Sequence, residues 1–356
     1  MCNKINITPK LAIEGEDRTL GAVLLGAPYS RKREMVMLPM IQQDIQSKPL
    51  MGVAVFDADG IPTQATARCA REVGRPYVLL DPRLEGCPFF NPLVGNENEV
   101  FEDLRIVVSE YLSDLSPSLR ALNESLLSNA VKVLKRLDKA EGVDGKYATF
   151  ININTVLQNP GQKGRALVSK FGQMKASSDA EWQENVDIAS WFINEYYAER
   201  SKPFEQTACL RLLLGKLISE PHLRTVLNPD FDKGQVSEVD FDRLVSDNCV
   251  ICVSAAKPTL GSLSRFFGLL ALLKYRRPMI RMGEPRRARV LYVDEFQEFA
   301  APELVDLFTY AYRSKLAATI SLQSWNQVDR GGVLYKQTKE TLASNLRNAL
   351  IFAGAS

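Results

Sequence analysis

The sequence is poor in the residues that many enzymes use for acid–base chemistry and metal binding. His222 is the single histidine among 356 residues, which excludes histidine pairs and histidine-based metal centres. Of six cysteines, only Cys249 and Cys252 have the spacing of a metal-binding or redox pair. They lie in an apolar segment typical of a buried strand, where residues three apart point to opposite faces. We therefore expect reduced, packed cysteines rather than zinc or disulfide chemistry.

Long apolar runs and a large net charge are also missing. No uncharged apolar stretch reaches the roughly 18 residues of a membrane-spanning helix, and the first residues do not lead into a signal-peptide core. The formal net charge is only +2, so nucleic-acid binding would have to come from a local patch. We expect a cytoplasmic protein whose partners can hold it at a membrane.

One strongly basic segment could form such a patch. It carries seven basic side chains against the carboxylate of Glu284, and we interpret it as a loop whose charges are solvated. A DNA phosphate track and a subunit contact are the alternatives. The basic residues are Lys274, Arg276, Arg277, Arg281, Arg286, Arg287 and Arg289.

Short apolar segments alternate with helical patterns at both ends of the chain, which indicates a parallel sheet. The middle portion places apolar residues at spacings of three and four, which predicts helices. We expect an α/β fold in which residues 1–97 and 236–356 form one mostly parallel sheet, interrupted by an all-α insertion at 98–235. The predicted strands are Ala22–Leu25, Gly52–Phe56, Tyr77–Leu80, Val250–Ser254, Val290–Val293, Ala318–Leu322 and Ala349–Phe352.

The most informative segment is the apolar strand Val290–Val293, which ends in Asp294 and Glu295. In P-loop nucleotidases this is a Walker B strand, where the first carboxylate holds Mg²⁺ and the second polarises the attacking water. Gln323 follows the next predicted strand, where it is either a loop residue or a sensor of the γ-phosphate. Asp294 is therefore the candidate metal ligand, and Glu295 and Gln323 are the candidate catalytic residues. No dinucleotide-binding glycine pattern follows any strand, so a Rossmann site is excluded.

The matching phosphate loop is altered. It starts at Gly26, directly after the first predicted strand, where the pattern GxxxxGK[ST] is expected. Gly26 and Lys32 fit that pattern, but Arg31 replaces the second glycine, which gives the loop its backbone freedom. Arg33 replaces the hydroxyl that would bind Mg²⁺. A guanidinium has hydrogen-bond donors only, so it cannot take over as a metal ligand.

The altered loop can still attract an anion, because three basic residues precede the N-terminus of the predicted helix Glu34–Gln46. A solvated basic helix start is the alternative. If the loop binds nucleotide, it shares a cleft with Glu295, since parallel sheets place ligands beyond the carboxyl ends of their strands. The candidate nucleotide-binding residues are Gly26, Ser30, Arg31, Lys32 and Arg33.

In order and spacing these motifs resemble the TraG/TraD-type coupling ATPases of conjugative DNA transfer, members of the hexameric HerA/FtsK group. The resemblance covers about residues 20 to 353 and rests on segments 25–32, 52–60, 80–82, 90–93, 291–297 and 321–323. It implies a RecA-like P-loop fold with an all-alpha domain, binding of ATP and Mg²⁺, and a homo-oligomer such as a hexamer. The implied partners are relaxase-bound single-stranded DNA and relaxosome or type IV secretion proteins. The implied roles are phosphate contact for Lys32, Mg²⁺ binding for Asp294, catalysis for Glu295 and sensing for Gln323.

Departures from the family pattern leave two functions open. Arg31 and Arg33 alter the loop, and Asp59 stands where the family commonly has a lysine. The chain also stops just past a strand, where relatives continue, so we expect a truncated C-terminus. The first function is an ATPase that drives DNA translocation in conjugation or type IV secretion. The second is a catalytically impaired pseudo-ATPase that acts as an adaptor or scaffold in the same machinery.

Overall fold

Nine strands form the two sheets of the computed structural model, which describes residues 2–158, 162–281, 287–311, 315–329 and 333–352. Their sequences are short and rich in branched apolar residues, which suits strands packed on both faces. The strands are β1 Ile5–Thr8, β2 Leu11–Ile13, β3 Ala22–Leu25, β4 Gly52–Asp57, β5 Tyr77–Leu80, β6 Val250–Ser254, β7 Arg289–Val293, β8 Leu316–Leu322 and β9 Asn348–Ile351.

Seven of these strands make one parallel sheet in the order β5-β6-β4-β7-β8-β3-β9, and β1 pairs with β2 in a separate antiparallel hairpin. All positions of the central strands β4, β6, β7 and β8 are buried. The edge strand β9 instead alternates between half-buried and exposed residues. The predicted α/β fold with a parallel sheet that an all-α insertion interrupts is confirmed. The hairpin of β1 and β2 was not predicted.

The helices fall into three groups along the chain. The first group follows the phosphate loop and β4, with α1 at Leu38–Gln46 and α2 at Ile61–Glu72. The second group is α3 Glu97–Ser109, α4 Pro117–Glu141, α5 Phe150–Leu157, α6 Gln162–Gln173, α7 Asp179–Trp191, α8 Lys202–Gln206, α9 Ala208–Ser219 and α10 Pro221–Leu227. The third group is α11 Phe241–Ser246, α12 Lys257–Leu260, α13 Leu263–Arg281, α14 Val305–Thr309 and α15 Val333–Asn345.

The described part of the chain divides into two compact units. One comprises the described parts of Met1–Pro88 and Asp240–Ser356, and the other is the helical unit Phe89–Val239. The helical unit has capped helices, since the side chains of Asn96, Ser116 and Ser178 accept hydrogen bonds from first-turn backbone N–H groups of α3, α4 and α7. In the described part of the chain, no helix is long and apolar enough to cross a membrane.

The basic segment differs from its prediction. Helix α13 continues through Pro278 to Arg281, so the prediction of a loop from Lys274 onwards is wrong for that stretch. Arg276 pairs with Asp306 of α14 at 2.8 Å, and Arg281 pairs with Asp242 of α11 at 2.9 Å. Buried Arg289 donates to a backbone carbonyl of α11. These pairings leave less positive charge for DNA than the sequence suggests, while Glu284 and Arg286 lie outside the described residues.

Candidate functional site

The candidate site lies at the carboxyl ends of four neighbouring strands. The β8 strand is hydrogen-bonded to β3 on one side and to β7 on the other, and β4 pairs with the far side of β7. The phosphate loop follows β3, and Glu295 follows β7. Lys32 Nζ lies 3.5 Å from Glu295 Oε1, which confirms the prediction that they share one cleft. The cleft has a volume of about 540 Å³ and is lined by loop residues together with Asp294, Glu295 and Gln323.

The loop after β3 has an unusual backbone in which one position requires glycine and two others have positive φ angles. A Cβ atom on Gly26 would lie 2.6 Å from Ser30 Oγ and 2.8 Å from Phe352 Cβ, so the turn requires glycine there. Arg31, at the position of the second glycine, has a φ of 61°, and Tyr29 has a φ of 66°. Both residues therefore hold a left-handed conformation that side chains disfavour. Ser30 Oγ is buried and has no hydrogen-bond partner.

Lys32 is turned towards the loop and the carboxylate opposite. Its Nζ donates to the Gly26 carbonyl at 3.0 Å, and its side chain is only 8 % exposed. In this position the ammonium group lies between the loop backbone and Glu295. The ammonium group has three N–H donors, so it can contact a phosphate in the cleft while it keeps the hydrogen bond to Gly26.

Glu295 is held by several neighbours. Its φ of 49° places the backbone in the left-handed region, and its N–H donates to Ser321 Oγ at 3.0 Å. The side-chain amides of Gln297 and Gln323 both donate to Glu295 Oε2, at 2.6 and 3.1 Å. Glu295 is thus a fixed carboxylate with two amides on one oxygen and Lys32 beside the other, which is a suitable arrangement for orienting a water molecule.

Asp294 is buried under Arg33. Its Oδ2 accepts hydrogen bonds from Arg33 Nε at 2.6 Å and lies 2.5 Å from Arg33 Nη2. Its Oδ1 accepts a hydrogen bond from Ser321 Oγ. Burial raises the pKa of the Asp294 carboxyl, while the Arg33 guanidinium and the Ser321 hydroxyl oppose that rise. Burial alone would lower the pKa of Arg33, but the Asp294 and Asp59 carboxylates raise it above its ordinary value.

The two carboxylates at the carboxyl end of β4 have separate roles: Asp57 is its last residue and Asp59 follows it. Asp59 Oδ2 accepts a hydrogen bond from Arg33 Nη1 at 2.9 Å, so it belongs to the cleft. Asp57 is fully buried and accepts hydrogen bonds from the N–H groups of Gly60 and Thr63 and from the Thr63 hydroxyl. Burial raises the pKa of the Asp57 carboxyl and these hydrogen bonds partly oppose the rise, so that the pKa is about 7. Asp57 therefore shapes the turn into α2, whereas Asp59 contacts the loop.

These contacts do not fit a magnesium site. Mg²⁺ needs oxygen ligands in a nearly regular octahedron. Both oxygens of Asp294 already accept hydrogen bonds from Arg33 or Ser321, and Arg33 offers N–H donors but no oxygen ligand. No group of three or more histidine, cysteine or carboxylate side chains among the described residues is arranged to hold a metal ion. The loop and Lys32 fit a phosphate better, because the cleft is open and lined by basic residues. The side chains of the cleft therefore suit a phosphate group but not the Mg²⁺ ion that would accompany it.

Sequence reasoning missed two residues of the site. Ser321 joins Asp294 and Glu295 through one hydroxyl, and Gln297 contacts Glu295 directly. Ser321 could have been singled out from the sequence, because it is a polar residue within the mostly apolar strand β8, all of whose residues are buried. The pairing of Arg33 with Asp59 was not predicted either, because the sequence marks them only as two separate departures from the family pattern.

Comparison with solved structures finds this fold in conjugation proteins. The plasmid coupling protein TrwB in complex with ADP and Mg²⁺ superposes with a TM-score of 0.63 at 13% identity, over 93% of this chain and 70% of that chain. With the ATP analogue ADPNP, TrwB gives a TM-score of 0.64 at 14% identity, over 98% and 74%. The chain has the fold of the conjugative coupling proteins.

A second solved protein has a similar fold. VirB4 of Thermoanaerobacter pseudethanolicus superposes with a TM-score of 0.56 at 14% identity, over 94% of this chain and 78% of that chain. No family model and no curated protein sequence matches the chain. The likeness to the coupling proteins therefore lies in the fold, while the side chains of the cleft have to be interpreted from their own geometry.

Proposed function

We propose that this chain is a coupling-protein-like component of a conjugative or type IV secretion apparatus and that it acts there without metal-dependent ATP turnover. In this proposal the RecA-like unit is a pseudo-ATPase that serves as an adaptor or scaffold. The observation that carries it is the Arg33 guanidinium on Asp294, at 2.6 Å from Nε to Oδ2. This contact takes the carboxylate that a Walker B strand uses for Mg²⁺.

The likeness in fold to the coupling proteins supports the partners, assembly and location that we propose. The expected partners are relaxosome or type IV secretion proteins and relaxase-bound single-stranded DNA, and the expected assembly is a homo-oligomer with hexameric symmetry. We propose a cytoplasmic position at the membrane, provided by the partners. ATP is the candidate ligand of the loop residues Gly26, Ser30, Arg31, Lys32 and Arg33.

A DNA-translocating ATPase is the second candidate function, and one specific observation favours it. Glu295, Lys32 and Gln323 meet in a single cleft, with 3.5 Å between Lys32 Nζ and Glu295 Oε1 and 3.1 Å between Gln323 Nε2 and Glu295 Oε2. In a working site Lys32 would contact a phosphate, Glu295 would polarise the attacking water and Gln323 would position it. Such turnover would first require Arg33 to leave Asp294.

Phosphate release separates the two candidates in vitro. The purified chain and its Glu295→Gln variant are incubated with Mg-ATP, with and without single-stranded DNA. We expect the same background rate from both proteins, because the unaltered chain cannot place the metal. Release at least about tenfold faster from the unaltered chain, which corresponds to about 1.4 kcal/mol in activation free energy, would overturn the pseudo-ATPase proposal and support the motor.

Complementation tests the proposed role in the cell. The gene is deleted from a conjugative host, and DNA transfer is measured after the unaltered chain or the Glu295→Gln variant is supplied. An adaptor requires that deletion abolishes transfer and that both proteins restore it. Restoration by the unaltered chain alone would indicate a motor, and undiminished transfer in the deletion strain would overturn the proposed role altogether.

A further inference from the structure

The Arg33 side chain bridges two carboxylates that come from different strands. Its Nε and Nη2 atoms contact Asp294 Oδ2, after β7, and its Nη1 atom contacts Asp59 Oδ2, after β4, at 2.9 Å. The Arg33 side chain is 17% exposed and that of Asp294 only 1%. The guanidinium thus fills the space between the phosphate loop and two strand ends.

The charge of Arg33 is matched by carboxylates on both sides. Arg33 is a cation where the loop pattern has a neutral hydroxyl, and Asp59 faces it at 2.9 Å. Without the guanidinium, Asp294 and Asp59 would be two carboxylates with no cation between them, and like charges at close range disfavour each other. With Arg33 in place, the buried Asp294 has a partner of opposite charge.

We propose that Arg33, held between Asp294 and Asp59, is a built-in cation that takes the place of Mg²⁺ and keeps the cleft assembled without metal or nucleotide. The inference deepens the proposed pseudo-ATPase function, on which it rests for the identity of the cleft. Its consequence is a site whose conformation no longer depends on a metal–nucleotide complex. Arginine suits this role because its guanidinium stays charged and binds carboxylates through several donors.

Neighbouring contacts within the protein also hold Glu295 and Lys32 in place. Ser321 donates to the other oxygen of Asp294 and accepts from the backbone N–H of Glu295, so both carboxylates after β7 are fixed. Lys32 lies beside Glu295 and donates to Gly26 at the start of the loop. Every charged side chain of this group therefore has a protein partner in place of the metal and phosphate of a working site.

Metal binding by a substituted site tests the inference. Removal of the guanidinium in Arg33→Thr leaves Asp294 and Asp59 without their cation and adds a hydroxyl, which together form a set of oxygen ligands. Electron paramagnetic resonance with Mn²⁺ alone should show one bound ion per variant chain and none on the unaltered chain. The variant should melt roughly 5 °C lower in chelator, and Mn²⁺ or Mg²⁺ should recover most of that loss.

The matched control is Arg33→Lys, which keeps a positive charge at the same position. It should bind no Mn²⁺ and show no metal-dependent melting temperature. The inference would be overturned by Mn²⁺ bound to the unaltered chain or to Arg33→Lys, or by a folded Arg33→Thr variant that takes up no Mn²⁺.

A charge exchange covers the case in which Arg33→Thr does not fold. Asp59→Lys places a second cation beside Arg33 and should lower the melting temperature. The double variant Arg33→Thr, Asp59→Lys returns one cation to the cleft and should melt higher than Asp59→Lys alone. A double variant that melts lower than Asp59→Lys would show that the charge of Arg33 is not matched to that of residue 59.

These measurements are independent of ATP turnover. If phosphate release were found while Mn²⁺ bound only to Arg33→Thr, the pseudo-ATPase proposal would fail and the built-in cation would stand. If Mn²⁺ bound to the unaltered chain and no turnover occurred, the opposite would hold.

Discussion

Arg31 adopts a backbone conformation that costs an arginine free energy. Its φ of 61° lies in the left-handed region, where a Cβ atom is disfavoured and glycine is not. We expect Arg31→Gly to raise the free energy of unfolding of the larger unit by about 0.5 to 1 kcal/mol, measured by denaturant titration.

The control for this substitution is Glu34→Gly, three residues further along the same segment. Glu34 is exposed and lies in the helical turn Arg33–Met37. Glycine there should lower the free energy of unfolding by about 1 kcal/mol. If both variants are destabilised equally, the left-handed conformation of Arg31 carries no strain.

Asp57 should make stability depend on pH. Burial raises its pKa in the folded protein to about 7, above the ordinary value of 3.8. A carboxyl group with a raised folded pKa contributes stability that is fully present below pH 4 and is lost as the pH rises through 7. The unaltered chain should therefore lose melting temperature between about pH 4 and pH 7 relative to Asp57→Asn, which cannot ionise, and the difference should level off above pH 7. A difference between the two proteins that stays constant with pH would contradict this assignment.

Single-residue predictions succeeded where topology decides the outcome. Lys32 and Glu295 were expected in one cleft because both follow strands of a parallel sheet, and they are 3.5 Å apart. The partners of Arg33 were not foreseen, since they depend on how far a long side chain reaches across the cleft. Motif comparison marked Arg33 and Asp59 as separate defects, and only their distance shows them as one pair.

At the scale of elements, all seven predicted strands are present and lie within three residues of their predicted bounds. Their order in the sheet was not predictable, because the central strands are uniformly apolar and no side chain specifies a neighbour. The hairpin of β1 and β2 was missed because its strands are not buried apolar runs: β1 alternates buried and exposed residues, and only one residue of β2 is buried. Helix α13 was predicted to end early, at the start of its basic residues, yet it continues through Pro278.

The helical unit should fold by itself when its ends are included. Phe89 exchanges hydrogen bonds with Glu238, and Phe90 donates to the Val226 carbonyl at 2.8 Å. We expect a fragment of residues 89–239 to show a helical circular dichroism spectrum and cooperative unfolding. A fragment of 98–230 lacks the Phe89 and Phe90 contacts and should melt at a lower temperature. Strand-rich or structureless spectra from the longer fragment would contradict this architecture.

The chain has a coupling-protein fold at 12–14% identity, while its loop after β3 departs from the phosphate-loop pattern at Arg31 and Arg33. A fold tolerates such divergence when the pattern and volume of its buried apolar residues are kept. The chemistry of a site depends instead on single side chains at fixed positions. Fold likeness alone therefore does not establish an ATPase.

Titration of the unaltered chain with ATP, in Mg²⁺ and in excess chelator, tests the central claim most directly. We expect that Mg²⁺ does not strengthen binding, because Arg33 occupies Asp294 and supplies the positive charge itself. Isothermal calorimetry should therefore give the same weak or absent binding in both buffers. Micromolar binding that appears only with Mg²⁺, worth about −8 kcal/mol, would contradict the account.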